Sequence, residues 1–127
     1  MSGLLLDTHV LLWLLTDDAR LGDGARRAIA KGPAHVSAAS TWELKIKQST
    51  GKVTLPDDFE AALPGAGIVE LPINFAHTLR IDEVELPHRD PFDRLIVSAA
   101  RLEGLDLVTA DRVLLATGLP GLVDARE

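Results

Sequence analysis

The chain reads as a three-layer α/β/α sandwich built on a mostly parallel sheet. Short apolar runs of strand length, among them Leu4-Leu5-Leu6 and Leu105-Asp106-Leu107-Val108, alternate with stretches whose apolar residues recur at helical spacing. Those runs are nearly continuous rather than confined to every second residue, the pattern of strands covered on both faces. Alternation of strand and helix makes successive strands parallel, with helices packed on either side. With 127 residues, 46% hydrophobic and 25% charged, the chain can bury a substantial core, so a single domain over residues 1–127 is expected.

In chain order, Leu4–Leu6 is the first strand and ends in Asp7-Thr8. A helix runs over Val10–Leu15, where six consecutive apolar residues leave no polar face, so neighbouring helices or a second subunit must cover what the sheet does not. Asp23–Ala30 is a second helix and Ala34–Ser37 a short strand. Trp42–Thr50 is helical and is ended by Gly51. Leu55-Pro56-Asp57-Asp58 opens a short helix to Leu63, which Pro64-Gly65-Ala66-Gly67 stops, and Ile68–Leu71 is a strand. Asn74–Ile81 gives another helix. Over residues 91–103, Phe92, Leu95, Ile96, Ala99 and Leu102 share one face, and Pro91 suits the first helical position because no amide is needed there. Gly104 then turns the chain into the strand that ends in Ala110-Asp111. Arg112–Ala116 forms a last short helix, and Leu122-Val123 reads as an edge strand.

Five acids stand where these elements begin or end. Asp7 and Asp111 follow apolar strands, and in an open parallel sheet the crevice beyond the carboxyl ends of the strands is where ligands bind. Asp90 takes the N-cap position of the 91–103 helix, and Asp93 lies one turn in, where unsatisfied N–H groups favour an ionised carboxylate. Glu43 has two readings: Ser40-Thr41-Trp42-Glu43 satisfies the capping-box pattern, and the same carboxylate is a candidate metal ligand. Clustered carboxylates without cysteine or paired histidines suit hard cations. Magnesium and manganese prefer oxygen ligands and retain several waters, so a few Asp and Glu groups suffice when a substrate phosphate completes the shell.

In this order, Leu5-Leu6-Asp7-Thr8-His9, Ser40-Thr41-Trp42-Glu43-Leu44, Asp90-Pro91-Phe92-Asp93-Arg94-Leu95-Ile96 and Val108-Thr109-Ala110-Asp111 make the chain resemble the PIN domain, specifically the ribonuclease toxins of the VapBC toxin–antitoxin type. The match spans nearly the whole chain. The resemblance implies that Asp7, Glu43, Asp93 and Asp111 are the acidic quartet of that family, with Thr8 or Thr109 as a hydroxyl helper. The family's most regular acid in the third segment matches Asp93, which leaves Asp90 as a supporting candidate. It further implies a PIN-like fold and Mg2+-dependent endoribonuclease activity with Mn2+ as a substitute, in which water attacks to leave a 5′-phosphate and a 3′-hydroxyl. A homodimer and a cognate VapB-type antitoxin are implied partners.

Composition removes several rivals and raises one difficulty. There is no cysteine, which excludes disulfide frameworks, zinc–thiolate sites and thiol nucleophiles. Asp7-Thr8-His9 interrupts the apolar run from Leu4 to Leu15, so a membrane span is not expected and a cytoplasmic location is. The four histidines are scattered singly, and neither His9 nor His88 is taken as a ligand. The difficulty is the net charge of −6, the wrong sign for binding RNA by bulk electrostatics. Metal bound at the acids would invert the charge locally, and basic residues lie near the motifs: Arg89, Arg94 and Arg112, of which Arg94 and Arg112 are the substrate-contact candidates, and Lys45, Lys47 and Lys52, read as solvated surface. The alternatives are a non-catalytic acidic-pocket module, either receiver-like or a degenerate PIN protein, and a phosphatase using Asp7 as nucleophile. A receiver would carry paired acids after its first strand and a late strand-end lysine, and the phosphatase a second Asp where His9 stands.

Overall fold

The computed structural model describes residues 3–87 and 90–127, and His88 and Arg89 lie outside the described residues. Five strands form one sheet, β1 (Leu4–Leu6), β2 (Ala34–Ser37), β3 (Ile68–Leu71), β4 (Asp106–Thr109) and β5 (Leu122–Asp124), in the order β3-β2-β1-β4-β5. Every pairing is parallel, with Leu4 beside both Ala34 and Asp106 and Leu107 beside Leu122. The chain builds outward from β1 to β3, then returns to the other side of β1 for β4. That reversal opens a crevice between the carboxyl ends of β1 and β4, the place where open α/β sheets bind ligands.

Leu5 and Leu6 are adjacent and both fully buried, as the central strand requires when successive side chains point to opposite faces. Leu6, Val36 and Val108 face one apolar layer, which includes Val10, Leu11, Ile29 and Leu44. Leu5 and Leu107 face the other, with Ile96, Val97, Ala100 and Leu114. The helices are α1 (Thr8–Leu15), α2 (Asp23–Lys31), α3 (Ala38–Ser49), α4 (Phe59–Gly65), α5 (Phe75–Leu79), α6 (Pro91–Glu103) and α7 (Arg112–Leu115). The three-layer sandwich expected from the sequence is the one observed.

Several boundaries differ from the sequence reading. Helix α1 starts at Thr8 rather than Val10, because Asp7 caps it directly off the strand. Its apolar stretch is largely covered within the chain: Val10, Leu11 and Trp13 are buried, and Leu12, Leu14 and Leu15 pack against the same core while half-buried. Helix α3 starts four residues before the expected Trp42. Ser37 at the end of β2 accepts a hydrogen bond from the Ala39 amide at 3.0 Å, which makes Ser37 the cap and places Ser40 inside the helix. The capping-box reading of Glu43 is therefore wrong; its carboxylate is in mid-helix and available for other contacts. Helix α4 is capped by Asp58 rather than beginning at Leu55, and Pro64 lies within its last turn, where only one intrahelical bond is lost. Helix α5 ends at Leu79, two residues short of Ile81. Helix α6 matches expectation, with Asp90 as cap, Pro91 first and Gly104 left-handed at φ 66° after its last residue.

Leu6→Ala should lower the unfolding free energy by about 2–5 kcal/mol, while exposed Leu79→Ala should change it by less than about 0.5 kcal/mol. Urea denaturation of the two variants checks the assignment of β1 to the centre of the core.

Candidate active site

The carboxyl end of β1 delivers Asp7 into a nearly dry position. Only 6% of the residue is exposed, and its Oδ1 accepts from the Thr8 amide at 2.8 Å while Oδ2 accepts from the Thr109 hydroxyl at 2.7 Å. Burial pushes the Asp7 carboxyl up from its ordinary value, and the nearby Glu43 charge adds to this; the Thr109 and Thr8 hydrogen bonds and the neighbouring His9 act in the opposite direction. Thr109 sits at the end of the adjacent strand β4, so the β1–β4 pairing is what brings its hydroxyl to Asp7. The same Thr109 oxygen accepts from the Asp111 amide at 3.1 Å, tying the two acid-bearing turns together.

Glu43 is 7% exposed. Its Oε1 accepts from the Thr8 hydroxyl at 2.7 Å, and its Oε2 pairs with Lys47 at 2.8 Å, one helical turn on. A hydroxyl has one proton; with that of Thr8 given to the carboxylate, the 3.1 Å contact between Thr8 and the fully buried Ser40 runs from the Ser40 hydroxyl. Ser40, Thr8 and Glu43 thus form a directed chain linking α3 to α1. Edge-on packing of Trp42 against Phe92, with ring centroids 5.3 Å apart, holds the start of α6 beside α3.

A cavity of about 420 Å³ lies in this crevice, lined by Asp7, Glu43, Asp90, Asp93 and Asp111 together with Thr8, His9, Trp13, Arg20, Lys47, Ala110 and Arg126. The four acids singled out in the sequence, and Asp90, therefore share one wall-to-wall space although 104 positions separate Asp7 from Asp111 in numbering. Three of them also cap helices: Asp7 caps α1, Asp90 accepts from the Phe92 amide to cap α6, and Asp111 accepts from the Val113 and Leu114 amides to cap α7. Thr109 supports Asp7 from behind the cavity surface. Arg94 and Arg112, the expected substrate contacts, are not among the residues that line this cavity.

Among the described residues, the lysine and arginine side chains lining the cavity are Arg20, Lys47 and Arg126. Lys47, expected as solvated surface, instead pairs with Glu43, and the turn spacing of the two is the signal that could have found it; nothing local in the sequence marks Arg20 or Arg126. Arg126 reaches the cavity because the last residues run beside the start of α2. There the Gly22 amide donates to Ala125 and the Gly24 amide to Glu127, and a Cβ on Gly22 would stand 2.4 Å from the Arg126 carbonyl oxygen. Only glycine permits that approach.

The donor set suits a hard cation. All the candidate donor atoms are carboxylate oxygens, and an oxygen that has accepted one hydrogen bond retains a second lone pair. Among the described residues no three acids or histidines form a ready-made cage. Magnesium binds through one or two carboxylates plus water and phosphate, so such a cage is not required.

Fold and site together define a parallel α/β sandwich with a carboxylate-lined cavity at the switch point of its sheet. More narrowly, the chain is a member of the PIN domain family, whose model matches residues 4–118. No curated protein matches the sequence significantly. Among solved structures, a toxin–antitoxin complex from Klebsiella pneumoniae contains a chain 20% identical, covering 96% of this chain and 97% of that one, with a TM-score of 0.65. VapBC2 from Rickettsia felis, solved bound to a DNA fragment from its promoter, is 16% identical over 97% of this chain and 96% of that one, with a TM-score of 0.67. At these identities the likeness is one of fold.

Two outcomes are expected. A raised folded-state pKa means that ionised Asp7 opposes folding: its contribution to stability is complete below the ordinary carboxylate pKa and is lost as pH rises through the folded value. In EDTA, Asp7→Asn should therefore melt higher than wild type at pH 7, with the advantage vanishing at pH values below about 4. Thermal scans across pH test this, and a variant that melts lower at pH 7 contradicts it. Thr8→Val, which strands a buried acceptor of Glu43, should cost about 1–3 kcal/mol, with Thr8→Ser restoring most of the loss in urea denaturation.

Proposed function

We propose that this PIN protein, a single domain over its length, is a divalent-metal-dependent endoribonuclease acting in the cytoplasm as the toxin of a type II toxin–antitoxin pair. The observation that carries the reading is the convergence of Asp7, Glu43, Asp93 and Asp111 on one cavity at the sheet's switch point. PIN membership removes the receiver-like and phosphatase alternatives, since those belong to other families, and the presence of all four acids favours an active over a degenerate PIN protein.

Asp7, Asp93 and Asp111 would hold Mg2+, or Mn2+ in its place, with Glu43 acting directly or through water. The chemistry such a cation supplies when bound is polarisation of a phosphoryl oxygen and activation of water at neutral pH. The chain's own part is positional. Thr109 and the Thr8 amide fix both oxygens of Asp7, so the carboxylate needs no reorganisation. The Thr8 hydroxyl and Lys47 hold the two oxygens of Glu43, which orients the attacking water and takes its proton. Water oxygen bonds to phosphorus, the bond from phosphorus to the 3′ oxygen breaks, and that oxygen takes up a proton, leaving a 5′-phosphate and a 3′-hydroxyl.

A VapB-type antitoxin and a homodimer belong to the same proposal. They are supported by the fold shared with toxin–antitoxin complexes and by the exposure of Trp42, Phe75 and Leu79.

End-labelled RNA should be cut in Mg2+ or Mn2+ and spared in EDTA, with ends that ligate as 5′-phosphate and 3′-hydroxyl. Asp7→Asn and Asp111→Asn should each lower kcat by about 100-fold or more, and Glu43→Gln by roughly 10²–10⁴-fold. Cleavage by Asp7→Asn at the wild-type rate, or no cleavage in either ion, would overturn the reading.

A further inference from the structure

Two guanidinium groups stand over one indole at the edge of the acidic cavity. The Arg20 Cζ lies 4.8 Å from the Trp13 ring centroid and the Arg126 Cζ 5.4 Å from it. All three residues line the cavity that contains Asp7, Glu43 and Asp111. We infer that Trp13, Arg20 and Arg126 form a phosphate subsite, which grips the RNA phosphodiester next to the one being cleaved. This rests on the nuclease reading of the acidic cavity.

Three observations favour a built site over ordinary surface charge. The platform is rigid, since Trp13 is only 5% exposed and belongs to the core. Both cations are anchored before any ligand arrives. Arg20 donates through Nε and Nη2 to the two oxygens of Asp18, at 3.0 and 2.7 Å, and Arg126 donates through Nη1 to the Ala110 carbonyl at 2.6 Å. The Asp18 carboxyl is held down to about 2 chiefly by the hydrogen bonds from the Arg20 side chain and amide, so this pair persists across the working pH range. A guanidinium already oriented by one carboxylate loses little further freedom when its remaining N–H groups meet phosphate.

Charge placement supplies the third observation. The chain carries −6 overall, so a polyanion is repelled at long range and needs local cations close to the reacting centre. Lys47 lines the same cavity but is already engaged by Glu43. Arg20 and Arg126 are the other cations lining this cavity among the described residues, and both stand over Trp13. A nucleotide strand laid across the cavity would thus present one phosphate to the acids and its neighbour to the guanidiniums. The requirement is for a flanking phosphate, which a dinucleoside monophosphate lacks.

The test compares wild type with Asp18→Asn/Arg20→Gln, which keeps the net charge constant, and with Arg126→Lys, which keeps the charge but loses the planar fork. Arg27→Gln, on an exposed part of α2, is the control. Steady-state cleavage of a single-stranded RNA hexamer and of a dinucleoside monophosphate is measured in Mn2+ over a range of KCl. RNA binding is followed in parallel by fluorescence anisotropy. For the hexamer, KM should rise roughly threefold to tenfold in the Asp18→Asn/Arg20→Gln variant with kcat nearly unchanged, and the slope of log affinity against log salt should fall by about 0.7. Dinucleotide cleavage should not change, and Arg126→Lys should keep the salt slope while weakening KM. Wild-type KM and salt slope in the Asp18→Asn/Arg20→Gln variant, with cleavage intact, would overturn the subsite and leave the nuclease reading standing. A wild type that binds RNA with the stated Arg20 dependence but does not cut would overturn the nuclease reading alone, and absence of both binding and cleavage would overturn both.

Discussion

The structure depends on a carboxylate held nearly dry at the end of its central strand. Asp7 follows two fully buried leucines, and both its oxygens are bonded, one by the adjacent Thr8 amide at the start of α1 and the other by the Thr109 hydroxyl, which only the pairing of β1 with β4 supplies. A buried carboxylate without those partners would cost several kcal/mol. The register of β1 against β4, with Leu6 beside Val108, is thereby locked from both sides, by apolar packing beneath and hydrogen bonding above. The functional centre and the structural keystone are the same few atoms.

Capping and chemistry are not competing roles for these acids. Asp7, Asp90 and Asp111 each satisfy helix amides, which fixes the side-chain rotamer and turns helix N-termini toward the cavity. An oxygen that accepts a single hydrogen bond, as those of Asp7 and Asp90 do, keeps a second lone pair for a cation or water. Capping is thus a means of holding a ligand still. Glu43 shows the converse: it has no capping duty, and it is held instead by a hydroxyl chain from Ser40 through Thr8 and by Lys47.

Charge is segregated within a space of about 420 Å³. Acids gather where β1, β4, α3 and α6 meet, while guanidiniums stand over Trp13 on one side. In the proposed nuclease an acidic chain would handle a polyanion because interaction with phosphate is decided within a Debye length, about 8–10 Å at physiological salt. Net charge counts the rest of the surface, which the substrate at the cavity does not meet at close range.

The sequence by itself determined the layered parallel architecture and the order of the elements, because both are written in local patterns of strand-length apolar runs and helical spacing, while the four acids singled out by the PIN resemblance are ones that line a single cavity. It also determined the cap of α6, where Asp90 and Pro91 act through their nearest amides. It did not determine where α3 begins, since Ser37 and Ser40 are equally good caps locally and the pairing of β2 in the sheet chose Ser37. Only the tertiary structure decided that Ser40 supports Glu43 through Thr8, and that Arg20 and Arg126 face the cavity while Arg94 and Arg112 do not. The physical reason is distance along the chain. Contacts such as Thr109 to Asp7, 102 positions apart, arise when strands far apart in sequence become neighbours, and no local pattern encodes which strands those will be.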